Sequence, residues 1–519
     1  MFVTKGLSAL HTRPNTIFIF VLVVLLLIQA KSYYRPAKQV PIPVELKDAV
    51  DGEPSAEESF FKHLVDTYRF TNLTTWQAWR IQATEQKDEA SSLTAANYDF
   101  HSQAERIINV NAPNRTDLHA SRKLLLPTRR GARMDDVDGS PFLFGISTTF
   151  ERIADRDWAL VRSWKRWMTH HGKASNGADL VLMLNKATDQ QLYELDAKLH
   201  EASIDVYALS TEDSMSMARR YYEITRIMKT YSATLAASGQ RKRWFALVDD
   251  SVFFPGLSYL NQQLSAYDSD EKLFIGLPDE RGDWYEADGG LTTSGGGALL
   301  LTRSALNNLP RLPCFQEDEQ VSSRRPRKWD VLLSDCMKKH ARLDMHVMAA
   351  AFSPYYDVPS DPAGHEMGTR PLVLHDYGER HRIDPGLAHL VTDACGEGCF
   401  MQRYLFHDNW LVVNGVSISQ NPDGLAMSRI RIRNYRAQPP RTRITGPLVM
   451  DDSGDGGERA VITPKGRRNV WKLLDSVASA DGTVWQAYLK RGQSGLGWET
   501  DGVTSMDSII VLAWESSSR

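Results

Sequence analysis

Cysteine is scarce: the chain has four in 519 residues, Cys314, Cys336, Cys395 and Cys399. That number excludes a disulfide scaffold, and the spacing is wrong for a zinc finger. Cys395 and Cys399 read as half a metal site, but Cys314 and Cys336 lack the paired spacing that would complete it. Two disulfides suit the chain better in an oxidising compartment, with 314/336 and 395/399 preferred among the three possible connectivities. A charge surplus is also missing. Lys plus Arg is 61 and Asp plus Glu is 64, a net charge of −3. Such a balance gives no global attraction to nucleic acid. No internal repeat is evident. Hydrophobic residues make up 42% of the chain, enough for a sizeable core, and the length suggests roughly two to four domains.

Long apolar runs are absent except at the amino end, where Thr16 to Ala30 reads TIFIFVLVVLLLIQA without a charge. The run is slightly short for a bilayer span of about 20 residues. Tyr33 and Tyr34 extend it toward the interface. The competing reading, a cleaved signal peptide, lacks an evident small-residue cleavage site. The sequence therefore predicts an uncleaved signal anchor over residues 16–34. Lys5 and Arg13 precede it and Lys31, Arg35 and Lys38 follow it, so charge leaves its orientation open. Asn72-Leu-Thr74 and Asn114-Arg-Thr116 are sequons, each a weak signal alone.

Residues 35–139 read as a stem, with one amphipathic helix at Glu57 to Phe70. From Pro141 apolar runs alternate with helical patterns: PFLFGIS (141–147), a helix with Trp158, Val161, Trp164, Trp167 and Met168 on one face, ADLVLML (178–184), IDVYALS (204–210), a helix over about Met215 to Ala236, and RWFALVDD (243–250). The aromatic stripe is read as core. Strands alternating with helices predict a mostly parallel α/β sheet, which binds ligands at the carboxyl ends of its strands. Three further runs after residue 440 predict a small β unit.

The strand-end rule points to Asp249 and Asp250. Hard carboxylate ligands suit Mg²⁺ or Mn²⁺, and a cation held there would neutralise a departing diphosphate. The plain alternative is a solvated Asp-Asp turn. RWFALVDDSVFF resembles the strand and acidic motif of the fringe-like and core-1-type β-1,3-glycosyltransferases, in particular a fungal, membrane-anchored branch. PFLFGISTTFERI, MARRYYEITRIM, SGGGALLLTRSAL, WDVLLSDCMKKH and DPAGHEMGTRPLVLHDYG resemble further segments of that family in the expected order, over roughly residues 141 to 415.

The resemblance implies a GT-A (Rossmann-like) fold at 140–415, after a cytoplasmic tail (1–15), the transmembrane anchor (16–34) and the stem (35–139), and before a β-rich unit (416–519). It implies an inverting transfer from a UDP-sugar to a glycan or glycoprotein, forming a β-1,3 bond with Mn²⁺ or Mg²⁺. Asp249, Asp250 and His375 would hold the metal. Asp249, Asp250, Gly295, Gly296 and Gly297 would face the donor. Apart from the resemblance, Trp284 and Tyr285 read equally as a sugar-stacking pair on the donor side or as core. Asp335 is the first candidate for the catalytic base and Asp330 the second. His365 and Glu366 lack the second His of a zinc protease motif and are read as loop residues. The expected placement is the Golgi or ER membrane, single-pass type II, with the catalytic domain lumenal. Two departures stand out: Ser251 occupies the family's third acid, and Asp376 its second His. They support an alternative, a non-catalytic lumenal chaperone or glycan-binding relative.

Overall fold

Five consecutive apolar residues, Trp244–Val248, form a strand buried along its whole length. It lies inside a seven-stranded sheet of a mixed α/β fold. In chain order the strands are β1 (Phe142–Thr148), β2 (Asp179–Asn185), β3 (Asp205–Thr211), β4 (Trp244–Val248), β5 (Phe274–Gly276), β6 (Ala298–Thr302) and β7 (His346–Val347). The sheet order is β7-β5-β6-β4-β1-β2-β3. Strands β3, β2, β1 and β4 run parallel, and β6 is antiparallel to both β4 and β5. β1, β4 and β6 are buried at every residue, as strands covered on both faces must be.

The structure is a computed structural model. It describes residues 54–516 except 86–92, 101–104, 121, 130, 212–214, 279–282, 288–289, 294, 316–327, 349–370, 432–457 and 493–505.

The crossovers are helices α1 (Phe150–Met168), α2 (Asp189–Glu201) and α3 (Met217–Ala237), capped by Thr149, Thr188 and Ser216. These side-chain oxygens accept from backbone N–H groups left open in the first turn. α1 is broken at Asp155–Trp158, where Arg156, Asp157 and Trp158 take positive φ. Beyond the break Trp164, Trp167 and Met168 are buried, the core stripe expected of this helix. Two further helices matter below: α4 (Leu257–Leu264) and α5 (Trp329–Ala341).

A second, ten-stranded sheet joins the two ends of the described chain. Leu73–Glu85 pairs in parallel with Asp507–Glu515, which continues through Val484–Lys490 and Asn469–Ala478. These last three are the strands expected near the carboxyl end. The strands at 73–85, 94–95, 106–109 and 123–128, within the expected stem, and the carboxyl-terminal strands thus belong to one sheet. The helix Ala56–Thr67, with a Ser55/Glu58 capping box, buries Phe60, Phe61 and Leu64 against Trp76, Trp485 and Val511. Both disulfides take the preferred pairing, Cys314–Cys336 and Cys395–Cys399.

The expectation of a membrane protein is corrected. The run at 16–34 lies outside the described residues, and among the described residues no helix is long and apolar enough to cross a membrane. The 21-residue α3 carries Arg219, Arg220, Arg226 and Lys229 within its length, charges that a hydrocarbon core does not accept. The anchor, the type II topology and the Golgi or ER placement are not carried further.

Because Leu73–Glu85 contributes buried Trp76, Trp79 and Ile81 to the second sheet, a chain starting at residue 140 is expected to aggregate. A chain starting at residue 54 should stay in solution and unfold cooperatively. Circular dichroism melts and size-exclusion chromatography of the two chains check this; a monodisperse, cooperatively melting 140–519 chain would contradict it.

Candidate functional site

In the seven-stranded sheet the chain leaves β1 toward β2 and β3 on one side and returns to place β4 on the other. The strand order reverses between β1 and β4. Open α/β sheets bind ligands outside the carboxyl ends of their strands at such a reversal. Here those ends are Thr148 on β1 and, directly after β4, Asp249 and Asp250.

The two carboxylates are held differently. Asp250 Oδ2 accepts from Arg152 Nε at 2.6 Å and from the Thr148 hydroxyl. Its backbone carbonyl accepts from Trp164 Nε1 at 3.1 Å. Asp249 Oδ1 accepts from Trp329 Nε1 at 2.6 Å. Trp329 is itself fixed by stacking on Tyr221, ring centroids 3.9 Å apart, and the Tyr221 hydroxyl donates to the Val248 carbonyl at 2.6 Å. Burial pushes the Asp249 carboxyl up to about 6; the Trp329 N–H opposes that and the Asp250 charge adds to it. Ser251 follows in a turn and is half-buried.

The glycine segment closes on the same carboxylates. Gly295, Gly296 and Gly297 all have positive φ, a conformation that costs glycine little. A Cβ at Gly296 would lie 2.4 Å from Asp283 Cγ, and one at Gly297 would lie 2.6 Å from Asp249 Oδ2. The Asp249 N–H donates to the Gly297 carbonyl at 2.9 Å. The glycines therefore let a backbone loop approach two acids closely.

His375 arrives from a distant segment. Phe253 and Leu374 exchange backbone hydrogen bonds of 2.9 and 2.8 Å, which fastens residue 374 beside the acidic turn. The His375 ring is buried, with Nδ1 3.0 Å from Asp283 Oδ2. Arg380 Nη1 lies 3.4 Å from the other oxygen of Asp283. His375 is within electrostatic reach of Asp249.

The two candidates for the base separate clearly. Asp330, in the first turn of α5, is buried, and its Oδ1 has no hydrogen-bond partner among the described residues. Burial raises its carboxyl, and it interacts electrostatically with Asp283 and Asp249. Asp335 is exposed on another face of the same helix, next to disulfide-bonded Cys336. The structure thus groups Asp330, the second choice, with the acids, and leaves Asp335, the first choice, outside the group. Trp284 lies on the strand Trp284–Ala287, its side chain outside the description. His365 and Glu366 also lie outside the described residues.

Among the described residues no group of three or more His, Cys, Asp or Glu is placed to hold a metal ion. Asp250, the expected principal ligand, is engaged by a guanidinium and a hydroxyl. Residue patterns missed Arg152, Asp283 and Trp329. Applying the strand-end rule to β1 as well as β4 would have drawn attention to Thr148 and Arg152; nothing local singles out Asp283.

No family model matches the chain, and no curated protein matches it. Some solved structures are similar. They include the glycosyltransferase GlyE of Streptococcus pneumoniae TIGR4 in its apo form, at 14% identity over 45% of this chain and 54% of that one, TM-score 0.29. Galactosyltransferase LgtC in complex with donor and acceptor sugar analogs is similar at 12% identity over 46% of this chain and 87% of that one, TM-score 0.29. So is a glycosyltransferase involved in glycosylation of the major capsid of PBCV-1, at 11% identity over 47% and 96%, TM-score 0.26. The chain spans about half the length of the pneumococcal protein. Likeness at this level carries no argument about the reaction, which is argued below from the chain's own residues.

A carboxyl whose folded value lies above its unfolded one stabilises the fold at low pH and loses that contribution as it ionises. For Asp249 the contribution is complete below its ordinary value of 3.8 and is lost as pH rises through about 6. Asp249→Asn keeps an oxygen for the Trp329 N–H and removes the ionisation. The variant is expected to melt roughly 1–3 °C above the parent at about pH 7.5, with the gap closing toward acid pH. Melting curves across that range decide; a variant melting below its parent at neutral pH contradicts it.

Proposed function

We propose that the chain is a glycosyltransferase that moves a sugar from a nucleotide-sugar, a UDP-sugar by its family resemblance, to a hydroxyl of a glycan or glycoprotein acceptor. One observation carries the reading. Segments far apart in the sequence, at residues 148–152, 249–250, 283, 295–297, 330 and 375, converge where the strand order reverses. Five of the segments that resemble the fringe-like family supply them, and Asp283 joins from outside that pattern.

The chemistry follows from the positions. Asp330 is the general base of this reading: a buried carboxylate with an oxygen that no described residue engages. The acceptor oxygen attacks the anomeric carbon and its proton passes to Asp330. The bond from that carbon to the diphosphate breaks on the opposite face, and the nucleoside diphosphate leaves with the electron pair. Burial favours proton uptake by Asp330, which brings a carboxylate nearer to the range useful for a base at neutral pH. Attack opposite the leaving group inverts the anomeric centre, and a β-1,3 product is the outcome that the resemblance suggests.

The Arg152–Asp250 pair also favours a second reading, a non-catalytic relative that binds glycans, since Ser251 stands at the family's third acid and the pair engages Asp250, the carboxylate left to hold the metal. Turnover separates the two. The full chain, supplied with a panel of UDP-sugars and acceptor glycans, is expected to release UDP and form a glycoside of inverted configuration. Asp330→Asn should lower kcat by about 10³-fold, while Asp335→Asn should stay within about threefold of the parent. Equal losses in the two variants would remove Asp330 from its role, and absence of transfer across the panel would favour the non-catalytic relative.

A further inference from the structure

We propose that Arg152 is the cation that receives the diphosphate of the donor, that Asp250 holds it for that task, and that donor binding needs no divalent metal ion. The proposal rests on the transferase reading of the same site and adds how the charge of the donor is met.

Arg152 lies four residues past the end of β1, at the reversal of strand order. Its Nε is 2.6 Å from Asp250 Oδ2, while 57% of the side chain is exposed against 9% for Asp250. Its Nη groups have no hydrogen-bond partner among the described residues. A guanidinium carries five N–H donors in a planar fork suited to phosphate oxygens. One donor is spent on Asp250, which fixes the plane, and those on the Nη groups remain for a ligand. The Asp250 carboxylate is backed by the Thr148 hydroxyl and its backbone by Trp164, so the partner that orients Arg152 is rigid.

The charge balance of the site agrees. Asp250 has Arg152 and Asp283 has Arg380 as counter-ions. A divalent ion at Asp250 Oδ2 would first have to displace an ion pair and a hydroxyl.

The test is calorimetric titration of the full chain with UDP and with GDP, once in EDTA and once with Mn²⁺. Binding of at least one nucleotide in EDTA is expected, within about threefold of the affinity with Mn²⁺. Arg152→Ala should weaken it by about 30-fold or more in both buffers, and Arg152→Lys by about 5- to 10-fold, since an ammonium keeps the charge but not the fork. Arg152→Ala also leaves buried Asp250 without its counter-ion and should melt below the parent, so the ligand contact is read from Arg152→Lys, which keeps the charge and should melt near the parent while binding more weakly. Binding that appears only with Mn²⁺, or undiminished binding by Arg152→Ala, overturns this proposal and leaves the transferase reading standing. Failure of both nucleotides to bind in either buffer overturns both.

Discussion

Two adjacent carboxylates at the end of a buried strand need compensation before anything else near them can be arranged. A buried charge without a partner is among the costliest features a fold can hold. The chain solves the problem separately for each acid. Asp250 receives a guanidinium and a hydroxyl from the end of β1. Asp249 receives an indole N–H from α5 and close backbone from the glycine segment. Each solution recruits a different part of the chain. The compensation itself thus draws β1, α5 and the glycine loop into one place.

The same logic reaches outward through the Phe253–Leu374 bridge. Immediately past the acids, that pair of backbone hydrogen bonds sets His375 near Asp249 and gives it Asp283 as a partner. Farther along, Glu397 in the Cys395–Cys399 loop accepts from the N–H groups of Leu257 and Ser258 at 2.9 and 3.2 Å. A carboxylate there satisfies open donors in the first turn of α4 and complements the helix dipole. The short disulfide loop thus anchors the helix that follows the acidic turn. Neighbouring His389, pushed down to about 3 by burial, holds the Pro255 carbonyl at 3.0 Å. Asp249 and Asp250 therefore sit on a turn gripped on its carboxyl side by elements some 120 to 150 residues away.

Much of this was legible in the residues. An apolar run ending in two acids says strand, then carboxylates, and alternation of such runs with helical patterns says parallel sheet. The helix near residue 60 and the three terminal strands follow from periodicity. What periodicity does not encode is partnership. Nothing in Leu73–Glu85 says that it pairs with Asp507–Glu515, so a stretch with polar alternation read as a stem. Arg152 drew no reading of its own, because its partner is a carboxylate almost a hundred residues later. Asp283 falls in a loop without a pattern at all.

Which of Asp330 and Asp335 lies beside the buried face of α5 was within reach, and the missing step was helical phase. Trp329, Leu333, Cys336 and Met337 are buried in α5, and at about 100° per residue they define one face. Asp330 falls beside that face, whereas Asp335 falls roughly 150° from its centre. The family resemblance put Asp335 first for the base, and a cross-link at its neighbour Cys336 would hold it in place. A fixed residue is not thereby a facing one: the bond at Cys336 fastens the helix by its buried side and turns Asp335 outward. The constraint that makes a helix rigid also decides which of its acids lies near Asp249 and Asp283, and in α5 that acid is the one beside the tryptophan already committed to Asp249.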